Sequence, residues 1–161
     1  MTTSASFAPE VLESTRLLIL GSLPGQQSLR QMQYYAHPQN QFWRLVGAVI
    51  DTDLVALPYA ARLVALKTAG IGLWDVVGSA TRVGSLDSAI RDAETNDLAA
   101  LVATLPALQA IAFNGATAYR IGSRLLTGSP ALIALPSSSP AHASMSFETK
   151  RTTWLALRAF L

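Results

Sequence analysis

Between Gly21 and Trp43 the chain reads GSLPGQQSLRQMQYYAHPQNQFW, directly after the apolar run Leu17–Leu20. A Gly/Pro turn, two tyrosines, His37 and Asn40 are thereby delivered together. Hydroxyl, imidazole and amide groups bind polar ligands or hold water, but an amide is no strong base. Three further polar signatures follow downstream: Asp75 in IGLWDVV, Asn114-Gly115 after AIAF, and Pro136-Ser137-Ser138-Ser139-Pro140-Ala141-His142 after LIAL. Asp75 can contact a ligand, order a water, or merely satisfy loop amides. Asn40 and Asn114 can each serve a site or cap the following helix. Ser22, Ser139 and neighbouring backbone N–H groups suit phosphate contacts as well as ordinary turns. His37, alone in a Pro-containing turn, is expected to shape its loop.

The elements that carry these residues follow from periodicity. Arg16 to Leu20 is predicted as a strand buried on both faces and ended by Gly21. Residues 1–15 read as a loose lead-in, and Pro24 and Pro38 interrupt any regular element between 25 and 40. Beyond Asn40 a helix places Phe42, Trp43, Leu45, Val46, Val49 and Ile50 largely on one side. Pro58 opens a second helix carrying Ala60 to Leu66, with Gly70 past its end. Ile71 to Val77 is the second strand, and residues 78–94 read as a long loop. Thr95 or Asn96 starts the next helix with Asp97 in its first turn. Ala110–Phe113 is strand three, Gly115–Leu126 a helix, Leu132–Leu135 strand four, and 147–161 a closing helix. Strands alternating with helices imply parallel pairing and right-handed crossovers. The expectation is one α/β domain over 1–161, a three-layer α/β/α sandwich on a mostly parallel sheet of about four strands. In such a sheet ligands bind beyond the carboxyl ends of the strands. All four polar signatures fall there.

Composition narrows the classes. Half of the 161 residues are hydrophobic and 14% are charged, as in a compact globular protein. Ten arginines and two lysines against ten acids give a net charge of +2, which permits contact with a polyanion without demanding it. There is no cysteine, so disulfides, thiolate zinc sites and cysteine-ligated clusters are excluded. Two histidines make a multi-histidine metal site unexpected. With no signal pattern at the N-terminus and no run of membrane-spanning length, a cytoplasmic location is expected.

Two other classes are weighed against a ligand-cleft enzyme. A serine hydrolase lacks its GxSxG elbow, since SSSP has no glycine to permit the strained turn. A non-catalytic nucleotide or phosphate module lacks GxGxxG and GxxxxGK[ST].

GSLPG followed by YYAHPQNQFW, FNG and PSSSPAHA resembles the uracil-DNA glycosylase superfamily, in particular its hypoxanthine (deoxyinosine) and mismatch-specific branch. The motifs span positions 21 to 142. The resemblance implies a monofunctional glycosylase that flips a deaminated base out of double-stranded DNA, hydrolyses its N-glycosidic bond and leaves an abasic site. No cofactor or metal is implied, and a monomer is expected. Position 23, where superfamily members often place a water-activating Asp or Asn, holds Leu23, so catalysis is expected to fall to Asn40. Tyr35 matches the aromatic that stacks the flipped base, with Tyr34 better suited to the core. Asn114 matches a base-recognising or catalytic amide. Gly21, Ser22, Leu23, His37, Phe42 and Asp75 complete the expected base-binding set. Ser137 takes the place of a residue that stabilises the departing base. The DNA backbone and the vacated stack are expected to meet Ser22, Pro24, Gly25, Ser138, Ser139, Pro140, Ala141 and His142, although alanine is a poor wedge. Hypoxanthine is the expected base, with uracil or thymine mismatched with guanine as the alternative.

Overall fold

The computed structural model describes residues 2–82, 84–87, 90–128 and 130–161. The first half holds β1 (Thr2–Ala5), β2 (Leu17–Gly21), α1 (Gln26–Gln31), α2 (Phe42–Ile50), α3 (Tyr59–Thr68) and β3 (Ile71–Asp75). There follow β4 (Val77–Arg82), β5 (Arg91–Thr95), α4 (Leu98–Ala103), β6 (Ala110–Asn114), α5 (Ala116–Gly122), β7 (Ala131–Leu135) and α6 (Phe147–Leu155). A 3-10 turn over Ala156–Phe160 ends the chain.

Four strands form a parallel sheet in the order β3-β2-β6-β7, as the strand–helix alternation requires. The apolar run of β2 has no polar face because both of its sides are covered. Leu17 and Ile19 pack with Phe42, Val46 and Trp154 of α2 and α6, whereas Leu18 and Leu20 pack with Leu98 and Ala118 of α4 and α5. All four are fully buried, each contributing roughly 1.5–3 kcal/mol. The layers are thus helix, sheet, helix.

A second sheet departs from the sequence-based expectation. β1, β4 and β5 form an antiparallel sheet in the order β1-β4-β5, where a loose lead-in and a long loop were expected. Register shifts between Val77 and Ser79 and between Ser79 and Thr81 break the two-residue alternation that announces a strand. β1, at four residues, takes its definition from its pairing with Ser79–Arg82. Residues 83, 88 and 89 of the expected loop lie outside the described residues. The remainder of the lead-in is tied down as well: Trp74 Nε1 donates to the Phe7 carbonyl and Tyr34 Oη to the Ala8 carbonyl. α1 occupies part of the stretch where Pro24 and Pro38 were expected to interrupt any regular element. α4 begins later than expected, because Asp97 is its cap and accepts from Ala100 N–H at 3.0 Å.

Candidate active site

Gly21 ends β2 in register with Asp75, and Leu20 is in register with Phe113, so Asp75 and Asn114 emerge on either side of it. A side-chain carbon at Gly21 would lie 2.7 Å from Asp75 Oδ1 and 2.9 Å from Tyr35 Oη. Only glycine lets the carboxylate and the phenol converge there. Tyr35 is held in the left-handed region at φ 54°, an uncommon conformation for a bulky residue. Its ring stacks on Phe42 at 3.8 Å between centroids and 17° between planes. Phe42 is fully buried, edge-on to Trp43 and Trp154. Phe42 therefore lies behind Tyr35 and does not border the cleft, contrary to its expected base-binding place.

The floor under these groups is polar and buried. Tyr35 Oη and Asp75 Oδ2 are buried without a hydrogen bond, although the Asn114 amide lies near the phenol. Burial raises the Asp75 carboxyl from its ordinary 3.8 to about 7; Asp87 adds to the rise and Arg82 opposes it. Burial, then Asp75, raises the Tyr35 phenol. Near neutrality Asp75 is poised between acid and carboxylate while Tyr35 stays protonated. The Asp75 carbonyl is held by Asn96 Nδ2 at 2.7 Å, a contact without a sequence signature.

Above the floor runs a directed chain of hydrogen bonds. Ser138 N–H donates to Asn114 Oδ1 at 2.9 Å, which turns Asn114 Nδ2 toward Ser138 Oγ, also at 2.9 Å. Ser138 Oγ then donates to Asn40 Oδ1 at 2.8 Å, and Phe42 N–H donates to the same oxygen at 2.9 Å. Backbone donors at both ends set the amide orientations. The two lone pairs of Asn40 Oδ1 are thereby used, and Nδ2 is left as the free donor, with no acceptor among the described residues. Asn40 is both a helix-start ligand and a cleft group. Ser138, only 1% exposed, joins the two amides, a junction absent from its expected role against the DNA backbone.

The loop bearing Ser138 is braced from behind. Gln41 N–H donates to the Ser138 carbonyl at 3.0 Å, Lys150 Nζ donates to Gln41 Oε1 at 3.0 Å, and Trp154 Nε1 donates to the Pro136 carbonyl at 3.0 Å. Within the loop, Ser137 Oγ accepts from Ser139 N–H and Ser139 Oγ from Ala141 N–H. Gln41, Lys150 and Trp154 escape a sequence reading because nothing in one helix announces which distant loop it will hold.

On the opposite wall Ser22 and Leu23, both expected at the site, are joined by Ser85, Asp87 and Arg82, which were not. Ser22 Oγ donates to Asp87 Oδ1 at 2.6 Å, so this hydroxyl is committed to the β4–β5 connection instead of reaching outward. Ser85 Oγ accepts from Gln26 N–H at 2.9 Å. Arg82, buried at 1% exposure, donates to the carbonyls of Pro24 and Ser85 and lies 3.8 Å from Asp87. Leu23, nearly buried, packs against Val77 and Ala80 while forming part of the wall. His37 is exposed and its Nδ1 accepts from Gln39 N–H at 3.1 Å, a loop-shaping bond.

These walls enclose a cleft of about 370 Å³, at the small end of ligand sites. Gly21, Tyr35, Asn40, Asp75, Asn114, Ser137 and Ser138 share it, with Pro24, Gly25, Ser139, Pro140, Ala141 and His142 around them. No lysine or arginine is among the described residues lining it. The arrangement can hold a planar polar ligand against an aromatic ring, donate from neutral amides and hydroxyls, and exchange one proton at Asp75.

The family model of the uracil DNA glycosylase superfamily matches residues 9–159. A hypoxanthine DNA glycosylase of Methanosarcina barkeri is 49% identical over 109 residues, covering 68% of this chain and 69% of the relative. One of Methanosarcina acetivorans is 43% identical over 150 residues, covering 92% and 94%. The solution NMR structure of a uracil DNA glycosylase candidate from Methanosarcina acetivorans superposes with a TM-score of 0.89 at 40% identity, covering 99% of each chain. With a family match over nearly its whole length and relatives this similar, the chain belongs to the uracil DNA glycosylase superfamily.

Proposed function

We propose that the chain is a monofunctional DNA glycosylase that excises hypoxanthine from duplex DNA, acts as a monomer and leaves an abasic site for base excision repair. The observation that carries this is the neutral relay Asn114–Ser138–Asn40, ending in a free amide donor beside the Tyr35–Asp75 floor. The names of the relatives at 49% and 43% identity support hypoxanthine as the base.

The target nucleotide must leave the stack, since its C1′ is out of reach inside a duplex. Tyr35, backed by Phe42, offers a rigid ring for the flipped base; stacking on such a ring contributes about 1–3 kcal/mol. Hypoxanthine presents one N–H beside one C=O. A carboxyl poised near neutrality can donate to the carbonyl as acid or accept from the N–H as carboxylate. Asn114 reads the same edge from the far side. As the bond breaks, negative charge gathers on the base, and hydroxyl donors such as Ser137 stabilise it.

Asn40 then holds water through Nδ2, because its oxygen is already occupied. An amide donor positions water without abstracting its proton; that proton is released as the C1′–O bond forms and neutralises the departed base anion. This suits a reaction in which base departure is well advanced before water attacks, with Leu23 where a stronger group would stand. No lysine lines the described cleft, so no amine is there to attack C1′ and cleave the strand.

A panel of duplexes bearing hypoxanthine or uracil, incubated with the protein and cleaved with alkali, tests the proposal. Scission at hypoxanthine is expected. Absence of scission at every deaminated base refutes the glycosylase reading, and scission at uracil alone refutes the specificity.

A further inference from the structure

A flipping enzyme has to fill the gap left in the base stack, and Ala141, an exposed methyl on the Pro136–His142 loop, is too small to do so. Seven large apolar side chains among the described residues are exposed, and single exposed leucines are ordinary. Of the seven, Leu86 alone borders the cleft, at 55% exposure. It also sits on a braced support. Ser85 before it is bound by Gln26 N–H and Arg82, and Asp87 after it is bound by Ser22 Oγ beside Arg82. Arg82 is buried with Nε unpaired and spends its charge on this connection and on the Pro24 carbonyl. Burying a guanidinium is costly. Here it ties the β4–β5 connection to the Gly21–Gly25 turn on one wall of the cleft, beside one protruding leucine.

We infer that Leu86, on the β4–β5 connection, is the wedge that enters the base stack when the target nucleotide swings into the cleft. A wedge must resist being pushed back by the stack it opens, and the residues bonded on either side of Leu86 supply that resistance. Leucine is one of the apolar side chains that unstack a base step in this way. The inference rests on the glycosylase proposal.

The test compares single-turnover excision by the wild type and Leu86→Ala on hypoxanthine in a paired duplex and in a single strand, where no stack has to be opened. Leu86→Ala should lose on the order of 10- to 100-fold on the duplex and less than about threefold on the single strand. Leu86→Met, which keeps the length, should recover most of the duplex rate. A fluorescent base analogue beside the target should show slowed opening with the alanine variant. Equal losses on both substrates, or no loss on the duplex, overturn the wedge assignment. If the wild type excises no base from either substrate, the glycosylase proposal itself fails, a result distinct from the others.

Discussion

Asp75→Asn removes the carboxyl that titrates near neutrality on the cleft floor while keeping its shape. In the native protein the carboxyl titrates near about 7, and in the unfolded chain near 3.8. Because the folded value is the higher one, the native state holds more protons across that window. The stability contributed by this group is therefore fully present below pH 3.8, falls as pH rises, and reaches its minimum once pH passes about 7. Each pH step inside the window withdraws about 1.4 kcal/mol, roughly 4 kcal/mol across the whole of it. The amide has no such dependence. Relative to the wild type, Asp75→Asn should gain about 3 kcal/mol of stability between pH 5 and pH 8. Urea unfolding of both proteins at several pH values measures the difference. The same titration should appear in catalysis, as a bend near pH 7 in the wild-type single-turnover rate that is missing from the variant. A stability difference that stays constant from pH 5 to pH 8 would refute the reasoning, since it would mean that water reaches Asp75 and holds it ionised.

Asn40→Asp keeps an oxygen for Phe42 N–H and Ser138 Oγ but deletes the Nδ2 donor, so excision should fall about 10²–10³-fold with little change in Tm. A fully active aspartate variant would show that a basic oxygen holds the water, not a donated N–H. Asn40→Ala should lose the same activity and also about 1–2 kcal/mol of stability, read by urea unfolding, because the start of α2 loses its ligand. Gly21→Ala drives a methyl against Asp75 Oδ1 and Tyr35 Oη; a stability loss of about 1–3 kcal/mol and a large loss of excision are expected from thermal melts and strand-cleavage assays. Trp154→Phe leaves the Pro136 carbonyl unpaired and loosens the Ser138 loop from behind, and should cost about 1–3 kcal/mol by unfolding together with a slower single-turnover rate.

The parallel sheet was legible because its evidence is local. Leu17–Leu20 is apolar without alternation, which only a strand covered on both sides tolerates, and Asp75, Asn114 and Pro136 each follow such a run. The convergence of Gly21, Asp75 and Asn114 at one sheet edge follows from that topology alone. The antiparallel sheet was not legible, since irregular register in β4 hides its period and β1 is defined by a partner far along the chain.

Residue types in the sequence thus set which groups the strand ends have to offer: neutral amides, hydroxyls and the Asp75 carboxyl. The tertiary structure decided how they are wired. It placed Ser138 at the junction of Asn40 and Asn114, and put Phe42 behind Tyr35 instead of in the cleft. It turned Ser22 onto Asp87 and left Leu86 at the mouth. Hydrogen-bond direction and burial depend on contacts between residues distant in the chain, which no local pattern encodes. A side chain's chemistry is written at its own position; the atoms it will face are supplied by the fold.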